Sequence, residues 1–332
     1  MASADQLKGL IRSYADGDKS LFLSIAMQIA AHEAKRGHGK LAEELKRLVD
    51  KAKSLGETGS PTRKIVPLSQ HRGELSSLLE VSYPQLKLGE MVLSEEIEKR
   101  LVRIIKEQRK NSQIREYGLS PRRKLLLVGP PGTGKTMTAS MLAGELNIPL
   151  FQVRLDTLIT KFMGESAAKL RQVFSAIAEV RGVYFFDEFD AIGSQRGLGN
   201  DVGEARRILN SFLQMIEQDD SNSLIISATN HSEILDYALF RRFDDILEYS
   251  LPTQQQSLLM LKNRLAGFIE KGINLKTLAT KTEGLSYADI TKSVDDAIKE
   301  YIVHDKAKVD MKDLKAILQE RKEIKDRNFR TQ

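Results

Sequence analysis

The eight residues from Gly129 to Thr136 (GPPGTGKT) constrain the fold of this 332-residue chain more than any other segment. They match the pattern G-x-x-x-x-G-K-[ST], and they lie between the apolar run Leu125–Val128 and a helical pattern. In such a unit, glycines let the backbone curl around phosphate groups, and the helix N-terminus adds unpaired N–H donors. We therefore predict an ATP site in which Lys135 contacts the β- and γ-phosphates and Thr136 binds Mg²⁺. The expected nucleotide-binding residues are Gly129, Pro130, Pro131, Gly132, Thr133, Gly134, Lys135, Thr136 and Met137.

A chance match to this pattern in a glycine-rich turn is the alternative. The placement between a strand and a helix argues against it, because a phosphate loop needs that context.

Short apolar runs alternate with helical patterns through the middle of the chain. The runs are Leu125–Val128, Leu150–Val153, Val183–Phe186 and Leu224–Ser227. Strands that alternate with helices indicate βαβ units and a mostly parallel sheet. The expected fold class is therefore α/β, with a P-loop parallel sheet flanked by helices, a small helical lid after it, and an N-terminal helical domain.

Changes in pattern divide the chain into four predicted segments. Residues 1–55 are helical in pattern and form the predicted recognition domain, and residues 56–84 are taken as a linker because the stretch begins polar, with glycine and proline. Residues 85–251 form the predicted ATPase α/β subdomain. Pro252 then opens a region without clear strands, so residues 252–332 are the predicted helical lid.

Two acidic residues follow the apolar run Val183–Phe186. A carboxylate at the end of a buried strand can position Mg²⁺, which makes Asp187 the candidate metal ligand. Glu188 could then polarise the attacking water. The alternative is that the two acids simply end a strand.

Charge and composition exclude several classes of protein. The 51 basic and 45 acidic residues, which give a net charge of +6, are closely intermixed along the sequence. A nucleic-acid partner is not expected, because nucleic-acid binding normally requires a concentrated basic face. No apolar run approaches the roughly 18 residues that cross a bilayer, and no membrane association is expected. Cysteine is absent, and the N-terminus lacks a signal-peptide pattern, so we predict a cytoplasmic location.

Residues from about 85 to 325 resemble a single AAA module, from the ring-forming branch of P-loop ATPases. GPPGTGKT is the P-loop sequence that this family prefers. Four further segments resemble family motifs in the family's order. They are the first pore loop at 161–166 (KFMGES), the sensor-asparagine strand at 224–230 (LIISATN), the region of trans-acting arginines at 235–244 (LDYALFRRFD) and the lid motif at 284–289 (GLSYAD).

The resemblance implies a homo-hexamer with ATP sites shared between subunits. Asn230 would hydrogen-bond the γ-phosphate or the attacking water, although a polar strand end is the alternative. Arg241 and Arg242 would stabilise charge on a neighbour's γ-phosphate, or form only a solvated basic pair. The family usually has a short Pro-Gly segment between these arginines, and it is missing here. Which of the two arginines would reach the neighbour's ATP site therefore stays open. Ala288 would lie beside the nucleotide, whereas Tyr287 replaces the usual glycine.

The pore-loop resemblance bears on the substrate. Phe162 and Met163 would grip an extended polypeptide in the central channel, although a lone phenylalanine is more often a core residue. The expected function is an ATP-driven ring motor that remodels, unfolds or threads proteins. A separate peptidase would be required for degradation, because H-E-x-x-H and G-x-S-x-G are absent from the chain.

Two other functions stay open at this point. One is a DNA-transaction ATPase of the loader type, which predicts basic residues at positions 162 and 163. The other is a nucleotide-switched assembly scaffold, which has no need for Glu188, Asn230 and the arginine pair.

Overall fold

The computed structural model describes residues 19–35, 43–49, 74–155, 157, 165–189, 200–231, 237–269, 274–304 and 308–330. The chain divides into two units, residues 1–70 and residues 71–332. In the first unit, helix α1 spans Lys19–Lys35 and residues 43–49 are also helical. No helix in the described ranges is both long enough and apolar enough to cross a membrane. The predicted cytoplasmic location is a separate matter and stays a prediction.

The second unit contains a six-stranded sheet. Its strands are β1 (Leu79–Ser82), β2 (Lys124–Val128), β3 (Leu150–Val153), β4 (Val183–Phe186), β5 (Leu224–Thr229) and β6 (Asp245–Glu248). The strand order is β1-β3-β4-β5-β2-β6. Only the edge strand β1 pairs antiparallel, and all other pairs are parallel. The α/β fold class predicted from the sequence is therefore confirmed.

Helices cover both faces of this sheet. They are α2 (Glu95–Arg109), α3 (Asn111–Glu116), α4 (Lys135–Leu146), α5 (Ser166–Glu179), α6 (Asn200–Gln218) and α7 (Tyr237–Phe240). Because side chains alternate along a strand, Leu125 and Leu127 pack into a core with α2 and α4. Leu126 and Val128 pack into a second core with α5 and α6. Burial on both faces explains why β2 is an unbroken apolar run.

Four further helices form a bundle with a hydrophobic core of its own. They are α8 (Gln254–Leu265), α9 (Lys276–Lys281), α10 (Tyr287–Val303) and α11 (Met311–Arg330). Leu261, Leu278, Val294 and Leu314 are fully buried in this core. Two of the helices begin with capping boxes, at Thr253 for α8 and at Ser286 for α10. We call these four helices the lid.

The structure differs from the expected pattern at the two edges of the sheet. Neither β1 nor β6 is among the predicted strands, and β1 lies inside the 56–84 segment taken as a linker. Leu78 and Leu79 are buried in the core that the sheet forms with α5 and α6, and β1 pairs with β3. This stretch therefore belongs to the sheet. The division into four segments otherwise stays a prediction.

Candidate active site

The loop from Gly129 to Gly134 joins the C-terminal end of β2 to helix α4. Gly129, Gly132 and Gly134 have φ values of 145°, 74° and 101°, which residues with a side chain rarely adopt. A Cβ atom on Gly129 would also collide with the main chain of Tyr249, just after β6. Glycine is therefore required here both for backbone conformation and for space.

Tyr249 contacts the elements on both sides of this loop. Its backbone N–H donates to the Val128 carbonyl at 2.7 Å, and its hydroxyl lies 2.6 Å from the Thr138 hydroxyl in α4. Burial raises the pKa of Tyr249, so the phenol stays neutral and keeps a proton to share in this contact. Strand end, loop and helix start are thereby held together.

Lys135 and Asn230 meet at the centre of the site. Lys135 is the first residue of α4, is only 6% exposed, and donates to the Gly129 carbonyl at 2.6 Å and the Pro130 carbonyl at 2.9 Å. Its ammonium also donates to Asn230 Oδ1 at 2.8 Å. Asn230 follows β5, which pairs with β2 in the sheet. The parallel sheet thus brings together two predicted site residues that are far apart in sequence.

Thr136 and Asp187 form a second contact beside the lysine. The Thr136 hydroxyl donates to Asp187 Oδ2 at 3.0 Å, and Asp187 directly follows β4. A hydroxyl and a carboxylate oxygen at this separation suit a hard divalent cation, since Mg²⁺ prefers oxygen ligands and is usually bound by few protein groups plus phosphates. The pair therefore fits the predicted Mg²⁺ site.

Glu188 is held in an uncommon backbone conformation. Its φ of 51° is left-handed, which costs a residue with a side chain roughly 1–2 kcal/mol. The backbone on both sides is anchored, because Glu188 N–H donates to Asp187 Oδ1 at 3.0 Å and Phe189 N–H donates to the Ala228 carbonyl at 2.9 Å. Phe189 is fully buried and Glu188 is exposed. The turn presents the Glu188 carboxylate at the end of the sheet, next to Asp187.

A cleft of about 520 Å³ lies between the sheet and the lid, and its lining includes Lys135, Thr136, Asp187, Glu188 and Asn230. That volume lies in the usual range for a small-molecule site. Predicted residues from Pro131 to Met137, together with Asp187, Glu188, Asn230 and Ala288, are among its walls. The predicted residues Gly129 and Pro130 are not among the described residues that line it. Sequence reasoning missed the other lining residues: Glu90, Met91, Val92, Leu93, Met260, Asn263, Arg264 and Thr291, together with Tyr287, which it noted only as a departure from the lid motif.

The lid touches the P-loop directly. Ala288 N–H in the first turn of α10 donates to the Gly132 carbonyl at 3.1 Å. Tyr287, the neighbour of Ala288, is half-buried against the lid core and lines the cleft. Burial raises the pKa of Tyr287, so this phenol is neutral. The lid therefore closes one side of the cleft through the backbone of α10.

The two arginines predicted to act on a neighbouring copy, Arg241 and Arg242, lie away from the cleft lining. Arg242 is half-buried and lies 3.5 Å from the Glu217 carboxylate of α6, whereas Arg241 is exposed. Within the described part of the chain, neither arginine is among the residues lining the cleft. The pore-loop candidates Phe162 and Met163 lie outside the described residues.

A glycine loop between a buried parallel strand and a helix, a buried lysine, and an acid pair at a neighbouring strand end define a P-loop nucleoside triphosphatase. Comparison with known proteins shows to which family of P-loop nucleoside triphosphatases the chain belongs. The model of the family described as "ATPase family associated with various cellular activities (AAA)" matches residues 125–251. A relative from Sinorhizobium fredii, an uncharacterized AAA family ATPase, is 32% identical over 320 residues that cover 96% of this chain and 96% of the relative. This chain belongs to the AAA family and is an ATPase.

Two further relatives have more specific names. A proteasome-activating nucleotidase of Saccharolobus solfataricus is 35% identical over 278 residues, which cover 79% of this chain and 68% of that protein. An ATP-dependent zinc metalloprotease FtsH of Alkalihalophilus pseudofirmus is 36% identical over 219 residues, or 64% of this chain and 32% of that protein.

Proposed function

We propose that this AAA ATPase works as a ring of six copies that uses ATP hydrolysis to remodel, unfold or thread protein substrates. The observation that carries the proposal is the similarity to a proteasome-activating nucleotidase over 79% of the chain. The similarity to a metalloprotease FtsH supports it from a second kind of relative. Both names describe proteins that couple nucleotide chemistry to the handling of other proteins. A separate peptidase that receives the substrates is a further proposed partner.

The contacts of the cleft support a division of roles in hydrolysis. Lys135 would exchange the carbonyls of Gly129 and Pro130 for phosphate oxygens. Thr136 and Asp187 would hold Mg²⁺, which when bound neutralises charge on the phosphates. Glu188 would polarise the attacking water, and Asn230 would orient that water or the γ-phosphate.

The position of the arginines supports an active site shared between copies. Arg241 and Arg242 lie outside the cleft of their own chain, as far as the described residues show. Arginine is suited to stabilising charge on a transferring phosphoryl group. We therefore propose that one copy supplies these arginines to the cleft of the next.

The proposed contact with protein substrates is made by Phe162 and Met163, and this part of the proposal rests on the sequence alone. An aromatic ring beside a flexible apolar side chain can hold varied polypeptide segments without a fixed sequence. These residues follow β3 in the chain and precede α5, and they are not part of the phosphate-binding loop.

The test compares Phe162→Ala with Phe162→Tyr. We expect Phe162→Ala to keep basal ATP hydrolysis and to lose both stimulation by unfolded protein and unfolding of a tagged reporter. Phe162→Tyr should retain much of both, because the ring and its contact area survive.

Thermal melting separates this result from a core role for Phe162. Truncation of a buried phenylalanine costs about 3–5 kcal/mol. A large fall in the melting temperature of Phe162→Ala, with basal and stimulated hydrolysis lost together, would contradict the proposed grip on substrate.

A further inference from the structure

The first turn of α10 and the P-loop are in direct contact. The hydrogen bond from Ala288 N–H to the Gly132 carbonyl is 3.1 Å long, and a Cβ atom on Gly132 would press against Ser286 and Ala288. A shift of this turn must therefore move or release the Gly132 peptide. The shape of the P-loop depends on where α10 begins.

A single carboxylate fixes the start of α10. Asp289 Oδ2 accepts from the Ser286 N–H at 3.0 Å and from the Ser286 hydroxyl at 2.7 Å, and the Ser286 hydroxyl accepts from the Asp289 N–H at 3.2 Å. The preceding Gly284 has a left-handed φ of 84°. These short-range bonds set the conformation of the turn that leads from Gly284 into the helix.

Lys325 reaches this segment from the C-terminal helix. Its ammonium donates to the Gly284 carbonyl at 2.7 Å and lies 3.9 Å from Asp289 Oδ2. The Lys325 side chain is 29% exposed, so both interactions are partly shielded from water. One cation thus joins the carbonyl of Gly284, two residues before the cap residue Ser286, to the Asp289 carboxylate within the cap.

We propose that Lys325 is a positioning residue of the ATP site. Through Gly284 and Asp289 it holds the first turn of α10 against Gly132, and in this way it makes nucleotide affinity depend on the docking of α11. Lys325 itself does not line the cleft, as judged from the described part of the chain. The inference concerns nucleotide binding alone, so it does not depend on the proposed action on protein substrates.

The same two helices provide a matched control. Arg321 lies one turn before Lys325 on α11, and its guanidinium lies 3.1 Å from the carboxylate of Asp296 in α10. Asp296 lies nearly three turns beyond the cap residue Ser286, and it is not among the described residues that line the cleft. We expect loss of this ion pair to loosen α11 on α10 without acting on the turn that touches Gly132.

The experiment measures the dissociation constant for ADP and the melting temperature of Lys325→Met, Lys325→Arg and Arg321→Met in the full chain. We expect Lys325→Met to weaken ADP binding roughly five- to tenfold, the scale of one charge-assisted hydrogen bond that is partly shielded. Lys325→Arg should lie within about twofold of the wild type. Arg321→Met should lower the melting temperature by a similar amount and leave ADP affinity within about twofold.

Two results would overturn the proposal. The first is an unchanged ADP affinity in Lys325→Met. The second is an equal loss of affinity in Lys325→Met and Arg321→Met, because this would mean that general loosening of the lid causes the effect.

Discussion

Glu188 and Asp187 are adjacent residues with different surroundings. Asp187 is half-buried and bonded to the Thr136 hydroxyl, whereas Glu188 is exposed on a left-handed turn whose next residue is anchored in the core. A strained backbone that its neighbours hold in place is typical of functional positions. The geometry therefore supports separate roles, with Asp187 as a metal ligand and Glu188 as the group that acts on water.

The Glu188→Gln variant tests this assignment. It keeps the size of the side chain and removes the charge, so we expect ATP binding to persist while turnover falls about 10²–10⁴-fold. Steady-state hydrolysis and equilibrium ATP binding are the measurements. Glu116→Gln, an exposed change on α3, is the control and should behave as the wild type. Turnover of Glu188→Gln near the wild-type rate would assign the role to another group.

The α10 cap and the P-loop are in contact, and Gly132→Ala should break this contact. The added methyl group would meet both Ser286 and Ala288. Gly118→Ala is the matched control, because Gly118 has nearly the same φ, 71° against 74°. A Cβ atom added to it would meet no described residue within 4 Å apart from its two chain neighbours.

Backbone strain should cost both alanine variants a similar free energy of unfolding, roughly 1–2 kcal/mol. Only Gly132→Ala should also lose ATP affinity, by about tenfold or more. Denaturant unfolding and ATP binding measure the two effects. Equal ATP affinity in the two variants would show that the contact between α10 and the P-loop is unimportant for binding.

The strands that could be predicted from the sequence are those buried on both faces. Strands β2 to β5 lie inside the sheet, and each is a continuous or nearly continuous apolar run. The edge strands β1 and β6 carry Glu80, Asp245 and Glu248, because an edge is partly exposed, and they lack that signal.

Within the site, the residues that could be predicted from the sequence are those that belong to local motifs. Lys135, Thr136, Asp187 and Asn230 could be found because each lies in a local motif at a strand end. Arg264 of α8 lines the same cleft and pairs with Asp295 at 3.2 Å, yet no local pattern marks it. Its position depends on how the lid packs over the sheet, which a single sequence does not encode locally.

The proposed sharing of active sites between copies can be tested by mixing two inactive variants. Changing Arg241 and Arg242 together to alanine should remove hydrolysis and leave ATP affinity largely intact. Lys135→Ala should abolish nucleotide binding, since it removes the cation at the phosphates. In a mixed ring, an intact P-loop from the first variant can meet intact arginines from the second.

We therefore expect partial recovery of ATP hydrolysis when the two variants are mixed, and none from either variant alone. Hydrolysis across a series of mixing ratios is the measurement, with a mixture of Lys135→Ala and Glu188→Gln as the control that should not recover. Absence of recovery at every ratio would count against arginines that act between copies.

We propose above that ATP hydrolysis by this protein is coupled to the handling of other proteins. The most direct measurement is the ATP turnover rate of the wild-type chain alone, with a permanently unfolded protein, with a folded protein, and with double- or single-stranded DNA. We predict that the unfolded protein raises turnover and that DNA leaves it unchanged. Stimulation by DNA alone would favour a DNA-transaction ATPase, and an unchanged rate with every addition would contradict the coupling.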